Sequence, residues 1–252
     1  MRQLVPARRG VASARRALFL VMVAFCTMLA AWFVCNAATL GRRKRLTFAS
    51  NTATDRARAF VVADADGFVA SFSALDLIAR GAPSGDAYRA RVAGSLREPT
   101  FDERTAVNTA INAMTTPLKY NPHDVVVVAD AAVEGGMPHT RGTFVFLPEG
   151  AFGSPSALRA TLAHELVHID QRARPQRARA WATEHGYAPV DGPRPARSRA
   201  NPDLDGLQWA FRGSPVAFLY ASDRPESLRD GRVVGASGYE HPYENQAYAA
   251  EP

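Results

Sequence analysis

Cysteine is scarce in this sequence: only Cys26 and Cys35 occur among its 252 residues, and both lie in an apolar run near the N-terminus. The rest of the chain therefore contains no disulfide bond and no thiolate that could bind a metal ion. A metal site in that part would have to use histidine, aspartate and glutamate side chains. Without cysteines, the composition gives no indication of the redox compartment.

Acidic residues are absent from residues 1–45, where nine of the 30 cationic residues lie. Residues 46–252 carry the other 21 cations against all 24 acids, so the formal charge of +6 comes from the N-terminal segment alone. A cationic excess on the flanks of an apolar run can bind anionic lipid headgroups. It gives no reason to expect nucleic-acid binding.

Charged residues of either sign are missing from residues 17–40. A helix of this length spans about 36 Å, enough to cross a hydrocarbon core of roughly 30 Å. We expect a basic tail over residues 1–16 and an uncleaved transmembrane helix, a signal anchor, over residues 17–40, which makes the chain a single-pass membrane protein. The alternative is a secretory signal cleaved near Ala37, although the apolar run is longer than usual and a basic cluster follows it directly. Cations flank both ends, so the positive-inside rule gives no orientation.

Residues 41–70 are predicted to be a linker, and residues 71–252 an α+β domain with a small mixed sheet. Helical spacing predicts helices over Ser71–Arg80, Phe101–Met114 and Gln176–His185. Strands are predicted at Val125–Ala129, Thr143–Leu147, Leu207–Phe211 and Val216–Tyr220.

The most specific motif is the pentapeptide His164-Glu165-Leu166-Val167-His168, which has HExxH spacing. Ser154 as a helix N-cap, Pro155 at the first helical position and Pro175 beyond the end predict that it lies on one helix. Two histidines four residues apart project from the same face and can bind one zinc ion, which leaves Glu165 beside the open position as a general base. The alternative is a chance pairing of two structural histidines around a glutamate.

A catalytic zinc site needs a third protein ligand and a position for water. The C-terminal segment offers Glu244, His241 and Glu251. We predict Glu244, because Pro242 would begin a helix and place Glu244 firmly in its first turn, whereas Glu251 lies where a helix end frays. His241 and Glu251 stay open as alternatives.

HELVH followed by Glu244-Asn245-Gln246-Ala247 resembles the gluzincin branch of the zincin metallopeptidases, in which a later helix with a Glu-x-x-Ala pattern supplies the third ligand. Over residues 70–252, together with the N-terminal anchor, the chain also resembles predicted membrane-anchored metallopeptidases of large DNA viruses. That resemblance rests on four further segments: Pro138-His139-Thr140, HELVHIDQR at 164–172, Asn201-Pro202-Asp203 and His241-Pro242-Tyr243-Glu244. The resemblance implies a zincin-like fold, a Zn²⁺ cofactor bound by His164, His168 and Glu244, Glu165 as the catalytic base, and peptide or protein substrates.

The chain departs from the gluzincin pattern at Tyr248. Many gluzincins have an aspartate at this position, and a ligating imidazole usually donates its other N–H to a carboxylate or a carbonyl. Asp170 lies too close to His168 on the same helix to be assumed as the substitute acceptor. The sequence therefore does not identify the acceptor for the second ring nitrogen of His164.

The strand Thr143–Leu147 precedes the metal-binding helix, and its alternating pattern predicts one covered and one more open face. In metallopeptidases of this kind an edge strand beside the cleft pairs with the substrate backbone. Thr143, Val145 and Leu147 are therefore predicted to bind substrate, with an ordinary sheet strand as the alternative. Side chains that could stabilise an oxyanion, or serve only a structural role, are Tyr243, Tyr248, His185, His139 and Tyr220.

The sequence as a whole predicts a membrane-anchored zinc hydrolase that cleaves peptide bonds, with Glu165 as general base. The rival hypothesis is a membrane-tethered structural or interaction protein that keeps a zincin fold without turnover. Metal content, followed by the activity of a Glu165→Gln variant, separates the two.

Overall fold

The computed structural model describes residues 47–48, 51–114 and 124–251. The predicted basic tail (1–16) and the predicted membrane helix (17–40) lie outside these residues. Within the described ranges, no helix combines the length and the apolar composition that crossing a membrane requires.

The described residues form an α+β unit with a small mixed sheet, which confirms the fold class predicted for the domain. The helices are α1 (Asn51–Ala63), α2 (Ala74–Ala79), α3 (Gly85–Ser95), α4 (Phe101–Asn112), α5 (Pro155–Ala173), α6 (Pro175–Glu184) and α7 (Pro242–Tyr248). The strands are β1 (Thr47–Phe48), β2 (Leu96–Arg97), β3 (Asp124–Val128), β4 (His139–Arg141), β5 (Phe144–Pro148), β6 (Tyr187–Val190), β7 (Gln208–Phe211), β8 (Ser214–Tyr220) and β9 (Gly231–Val234). Short 3₁₀ helices cover Val69–Ser71, Val133–Gly136 and Glu149–Phe152.

The strands form two sheets. In the first, the order is β1-β3-β5-β4, and β2 also pairs with β3. Strands β3 and β5 are parallel, with Val125 opposite Val145, whereas β4 runs antiparallel to β5. The second sheet has the order β6-β7-β8-β9 with antiparallel pairing throughout.

The first sheet is buried on both faces. On one face, Val125, Val145 and Leu147 share a core with residues of α4 and α5. On the other face, Val126 and Phe146 share a core with residues of α1 and α3. The alternation in β5 therefore does not mark an open face, because a second helical layer covers the side that the sequence predicted to be exposed.

The structure differs from the linker predicted over residues 41–70, because α1 occupies most of its described part. Ala57 and Val61, one helical turn apart, are fully buried in the core beneath the first sheet. The apolar stripe of α1 is short and arginines interrupt it, so the sequence of this segment resembles that of a polar linker. The folded unit therefore begins before residue 71.

Helices α5 and α7 form as the sequence predicts. The Ser154 side chain accepts a hydrogen bond from the backbone N–H of Ala157, and Pro155 begins α5. Helix α7 begins at Pro242, and His241 is its N-cap. Since Leu158, Leu162 and Leu166 of α5 are buried against the first sheet, the histidine face of this helix is directed toward α7.

Candidate metal centre

The three residues predicted as metal ligands meet between α5 and α7. One potential ligand atom from each of His164, His168 and Glu244 lies within 4.8 Å of the others. Glu244 Oε2 is 3.3 Å from His164 Nε2 and 3.8 Å from His168 Nε2. Helix α5 supplies two of the groups because of the four-residue spacing, and the Pro242 start of α7 places the third opposite them.

The two alternative third ligands have other contacts. His241 caps α7 through Nδ1, which accepts the backbone N–H of Tyr243, and its Nε2 lies 3.2 Å from Asp205 Oδ1. Glu251 Oε1 lies 3.0 Å from His164 Nδ1, on the opposite side of that ring from Glu244. Of the three candidates, Glu244 is therefore the one whose carboxylate faces both Nε2 atoms.

The ring nitrogens that face away from Glu244 are both engaged. His168 Nδ1 lies 2.8 Å from the side-chain oxygen of Gln171, an atom that only accepts hydrogen bonds, so Nδ1 of His168 carries the proton. Gln171 in turn donates to the carbonyl of Tyr243 and to the side chain of Gln246. In the neutral form of each histidine, the proton lies on Nδ1 and Nε2 presents a lone pair toward Glu244.

Lone pairs that converge in this way suit a bound cation. His168 is fully buried, and its Nε2 has no hydrogen-bond partner in the described part of the chain. The same holds for Oε2 of buried Glu165. A buried polar atom without a partner costs roughly 1–3 kcal/mol. Two imidazoles and one carboxylate are a donor set of catalytic zinc sites, so these residues fit Zn²⁺.

Asn201 orients the carboxylate of Glu244. Its amide nitrogen donates to Oε1 of Glu244 and to Oε1 of Glu240, at 2.9 Å each, which leaves Oε2 of Glu244 to face the histidines. Arg199 pairs with the same Glu240 oxygen at 2.5 Å. Glu240 was not identified from the sequence, because no local spacing relates it to the HExxH motif, and Gln171 was named only within the segment HELVHIDQR. Asn201 entered only as part of a resemblance.

The electrostatics of the centre are dominated by buried carboxylates. Burial raises the pKa of Glu165 well above its usual range, and the negative charges of Asp203 and Glu244 raise it further. Burial acts in the same direction on Glu244, but His168 and His164 outweigh it and hold the pKa of Glu244 at about 2. For His168, desolvation lowers the pKa. For His164, desolvation lowers the pKa, but the nearby carboxylates of Glu244, Asp203 and Glu251 together outweigh it and raise the pKa.

A cleft of about 250 Å³ opens over the centre. His164, Glu165 and Glu244 line it, together with His139, Thr161, Asp203, Glu240, Tyr248 and Glu251. Since Glu165 belongs to the helix that carries both histidines, it faces the cleft beside the triad. A molecule that enters the cleft would therefore meet two of the candidate ligands, His164 and Glu244, together with the candidate base, while His168 lies buried behind them.

Only two of the five predicted oxyanion-stabilising side chains line this cleft, namely His139 and Tyr248. The hydroxyl of Tyr220 donates to Asp76, and the ring of His185 stacks on Trp181. Tyr243 is buried next to His241. Burial lowers the pKa of His139, and its Nδ1 lies 3.1 Å from the carbonyl of Met137, so neutral His139 presents a lone pair at Nε2. Tyr248, half-exposed, is the candidate that carries a donor.

The substrate-binding role predicted for Thr143, Val145 and Leu147 does not fit the structure. Strand β5 pairs with β3 on one side and β4 on the other, so its backbone is not at an edge of the sheet. Val145 and Leu147 are fully buried in the core with α5, and Thr143 lies in the turn before β5. A strand's place in a sheet depends on distant pairing partners, which its own alternation does not encode.

Strand β4 lies at the edge of the first sheet in the described chain, beside the cleft. Its outward groups are largely engaged: the Thr140 N–H donates to Asp203 Oδ1 at 2.8 Å, and the Thr140 carbonyl accepts from Arg172 at 3.0 Å. The preceding outward residue, Pro138, has no N–H to donate. The sheet edge at the cleft is therefore mostly satisfied by the protein's own side chains.

Comparisons with known proteins found no match for this chain. No protein-family model matches it, and no curated protein and no solved structure is similar enough to count as a match.

Proposed function

We propose that this chain is a zinc-dependent peptidase of the zincin type, with His164, His168 and Glu244 as ligands and Glu165 as the general base. The observation that carries the proposal is the meeting of an HExxH helix with a carboxylate from a second, distant helix, with 4.8 Å as the largest separation between their ligand atoms. Two histidines on one helix arise easily by chance. A buried carboxylate held against both Nε2 atoms, in a cleft that Glu165 also lines, is much less easily explained by packing alone.

The residues have distinct roles in this proposal. When bound, zinc supplies a Lewis acid that polarises a carbonyl and lowers the pKa of water to about 7. Glu165 accepts a proton from the attacking water through its unpartnered Oε2 and passes it to the leaving amine. Gln171 fixes the protonation of His168, and Asn201 directs Glu244, so neither ligand has to reorganise when substrate arrives.

The substrate class and the location are proposed together. Peptide bonds are the target implied by the gluzincin resemblance, and Tyr248 offers a hydroxyl in the cleft that can donate to an oxyanion. Anchorage in a membrane through residues 17–40 is proposed from their composition, since they lie outside the described structure. Nucleic acid is not proposed as a partner, because the cationic excess is confined to residues 1–45.

The test compares metal content with turnover. Wild-type protein should bind one zinc ion, and His168→Ala should lose it, because two protein ligands hold the ion much more weakly than three. Glu165→Gln should keep both fold and zinc, while cleavage of a peptide mixture falls by roughly 10² to 10⁴. Glu184→Gln is the matched control, because Glu184 is an exposed glutamate near the end of α6, and it should change neither quantity.

Two results would overturn the proposal. Wild-type protein without stoichiometric zinc at micromolar free zinc would exclude the metal site. Undiminished cleavage by Glu165→Gln would exclude Glu165 as the base. Tight zinc binding with no cleavage by the wild type would instead favour the rival function, a membrane-tethered structural or interaction protein that retains the metal.

A further inference from the structure

The two histidines of the metal centre have chemically different acceptors at Nδ1. For His168 the acceptor is the neutral amide of Gln171, which lies on the same helix. For His164 it is the carboxylate of Glu251, which follows α7 and lies 87 residues away in the sequence. Hydrogen bonds to ionised groups are roughly twice as strong as those between neutral groups. The His164 contact therefore has the charged acceptor, which comes from the more distant element, whereas the His168 contact is the shorter and the more buried of the two.

Glu251 is held in place by continued helical turns rather than by a loose end. Beyond α7, the N–H of Ala249 donates to the carbonyl of Asn245, and the N–H of Glu251 donates to the carbonyl of Tyr248. Glu251 follows Glu244 by seven residues, about two helical turns, so both side chains project from the same face. Glu244 reaches Nε2 of His164, and Glu251 reaches Nδ1 of the same ring.

Tyr248 lies between Glu244 and Glu251 in the sequence. Its ring packs edge-on against the ring of His164, with centroids 4.6 Å apart. An aromatic ring accepts no strong hydrogen bond from an imidazole N–H. The ring of Tyr248 therefore supports the ring of His164 sterically, while the acceptor at His164 Nδ1 is Glu251 and not the Tyr248 hydroxyl.

The other nearby carboxylates are engaged elsewhere. Asp170 pairs with Arg174 on α5. Asp203 accepts from the backbone and side chain of Thr140. Glu244 faces Nε2 rather than Nδ1. In the described structure, the carboxylate at Nδ1 of His164 thus belongs to Glu251.

We propose that Glu251 is the positioning residue of His164, taking the place left empty where Tyr248 replaces the expected aspartate. The proposal rests on the metal site proposed above. The Glu251 carboxylate fixes the proton on Nδ1, so that Nε2 keeps a lone pair toward Glu244. It also holds the ring plane and makes Nε2 a stronger donor to a cation.

The test measures zinc affinity by competition with a chromophoric chelator, on the full chain. Glu251→Ala should raise the Kd for zinc by about 10- to 100-fold, the usual effect of removing an outer hydrogen-bond partner of a metal ligand. Glu251→Gln keeps an acceptor oxygen without the charge, and it should raise the Kd by less than about tenfold. Glu184→Ala removes one exposed negative charge at the end of α6 and should leave the Kd unchanged.

A second readout separates positioning from a general effect on charge or fold. In the zinc-loaded wild type, nitrogen-detected NMR of the imidazoles should show a proton on Nδ1 of His164 that exchanges slowly with water. Glu251→Ala should lose this protection, whereas the Nδ1 proton of His168, held by Gln171, should keep it. A purely structural role for Glu251 would alter both histidines or neither.

Failure of this proposal is distinguishable from failure of the metal site. If the wild type binds no zinc, both fall together. If the wild type binds zinc and His164→Ala loses it, but Glu251→Ala keeps the wild-type Kd within about twofold, only the role of Glu251 is refuted. A loss in Glu251→Gln as large as in Glu251→Ala would also refute it, because the charge and not the hydrogen bond would then determine affinity.

Discussion

Replacing Glu244 by alanine tests the third ligand, where the sequence left three residues open. In the structure Glu244 Oε2 lies 3.3 Å and 3.8 Å from the two Nε2 atoms, and Asn201 holds its other oxygen. The variant therefore removes one of three protein donors and leaves both histidines with their Nδ1 partners in place. We expect Glu244→Ala to lose zinc while the zinc-free protein stays folded.

The magnitude follows from the number of ligands. Structural zinc sites with four protein ligands bind with apparent free energies of about 10–16 kcal/mol, which is roughly 2.5–4 kcal/mol for each ligand. One ligand fewer should therefore raise the Kd for zinc by roughly 10² to 10³. This increase in Kd exceeds most of the range expected for Glu251→Ala, because that variant keeps all three ligands and disturbs the orientation of only one.

The assay is zinc competition, supported by thermal unfolding with and without zinc. A ligand at 1,000 times its Kd stabilises the folded state by about 4 kcal/mol, so the wild type should gain a large increase in Tm and Glu244→Ala a much smaller one. Glu244→Gln keeps the side-chain volume and an acceptor for Asn201, and it should show the same loss of zinc. His241→Ser is the matched control, because serine retains the N-cap of α7.

The reasoning would be refuted if Glu244→Ala bound zinc within about tenfold of the wild type. Retention of zinc in that variant together with its loss in His241→Ser would identify His241 as the ligand. The contacts of the His241 ring make this outcome unexpected, since Nδ1 caps α7 and Nε2 lies beside Asp205.

Two further predictions concern the buried ion pair between Arg80 and Glu134, in which Arg80 Nε lies 2.7 Å from Glu134 Oε1 and both side chains are inaccessible or nearly so. Arg80→Met should lower the free energy of unfolding by about 3–5 kcal/mol in urea titrations, because it leaves a buried carboxylate without its cation. The control is Arg56→Met, which breaks an exposed pair with Asp124 and should lower the free energy of unfolding by less than about 1 kcal/mol. Equal losses in the two variants would contradict the argument. Burial raises the pKa of Glu134, but Arg80 outweighs it and holds this pKa at about 2, below the usual 4.5, so the stability it contributes is complete above pH 4.5 and is lost as the pH falls from there toward 2. The urea midpoint should therefore fall less over this pH range in Glu134→Gln than in the wild type, and parallel curves would exclude Glu134 as a source of the acid sensitivity.

Elements with local signals could be predicted from the sequence. Ser154 and Pro155 begin α5 because a side-chain cap and a fixed proline φ act within one turn, and the structure shows both. Thr100 and Glu103 form the capping box of α4 for the same reason. The four-residue spacing of His164 and His168 defines their common face without reference to any other element.

Features that depend on distant partners could not be predicted in this way. The central position of β5 follows from its pairing with β3 and β4, which its own alternation does not specify. Likewise, Ala57 and Val61 of α1 can be recognised as core residues only once the first sheet, against which they pack, is known. The contact of Glu251 with His164 needs both the continued turn after α7 and the approach of α5, so helix fraying was the wrong expectation for this residue.

Helix α2 and Arg80, the residue that follows it, contact the loop at residues 200–203, which leads to the metal centre. Asp76 of α2 accepts the backbone N–H of Ala200 at 2.7 Å, and Arg80 donates to the carbonyl of the same residue at 2.8 Å. Immediately after Ala200, Asn201 orients Glu244, and two residues later Asp203 engages the edge strand at Thr140. Because a buried charge without its partner costs several kcal/mol, the pairing with Glu134 holds the Arg80 guanidinium beside Ala200. Helix α2 therefore positions one wall of the cleft, and the orientation of the Glu244 carboxylate depends on contacts of residues that lie more than a hundred positions earlier in the chain.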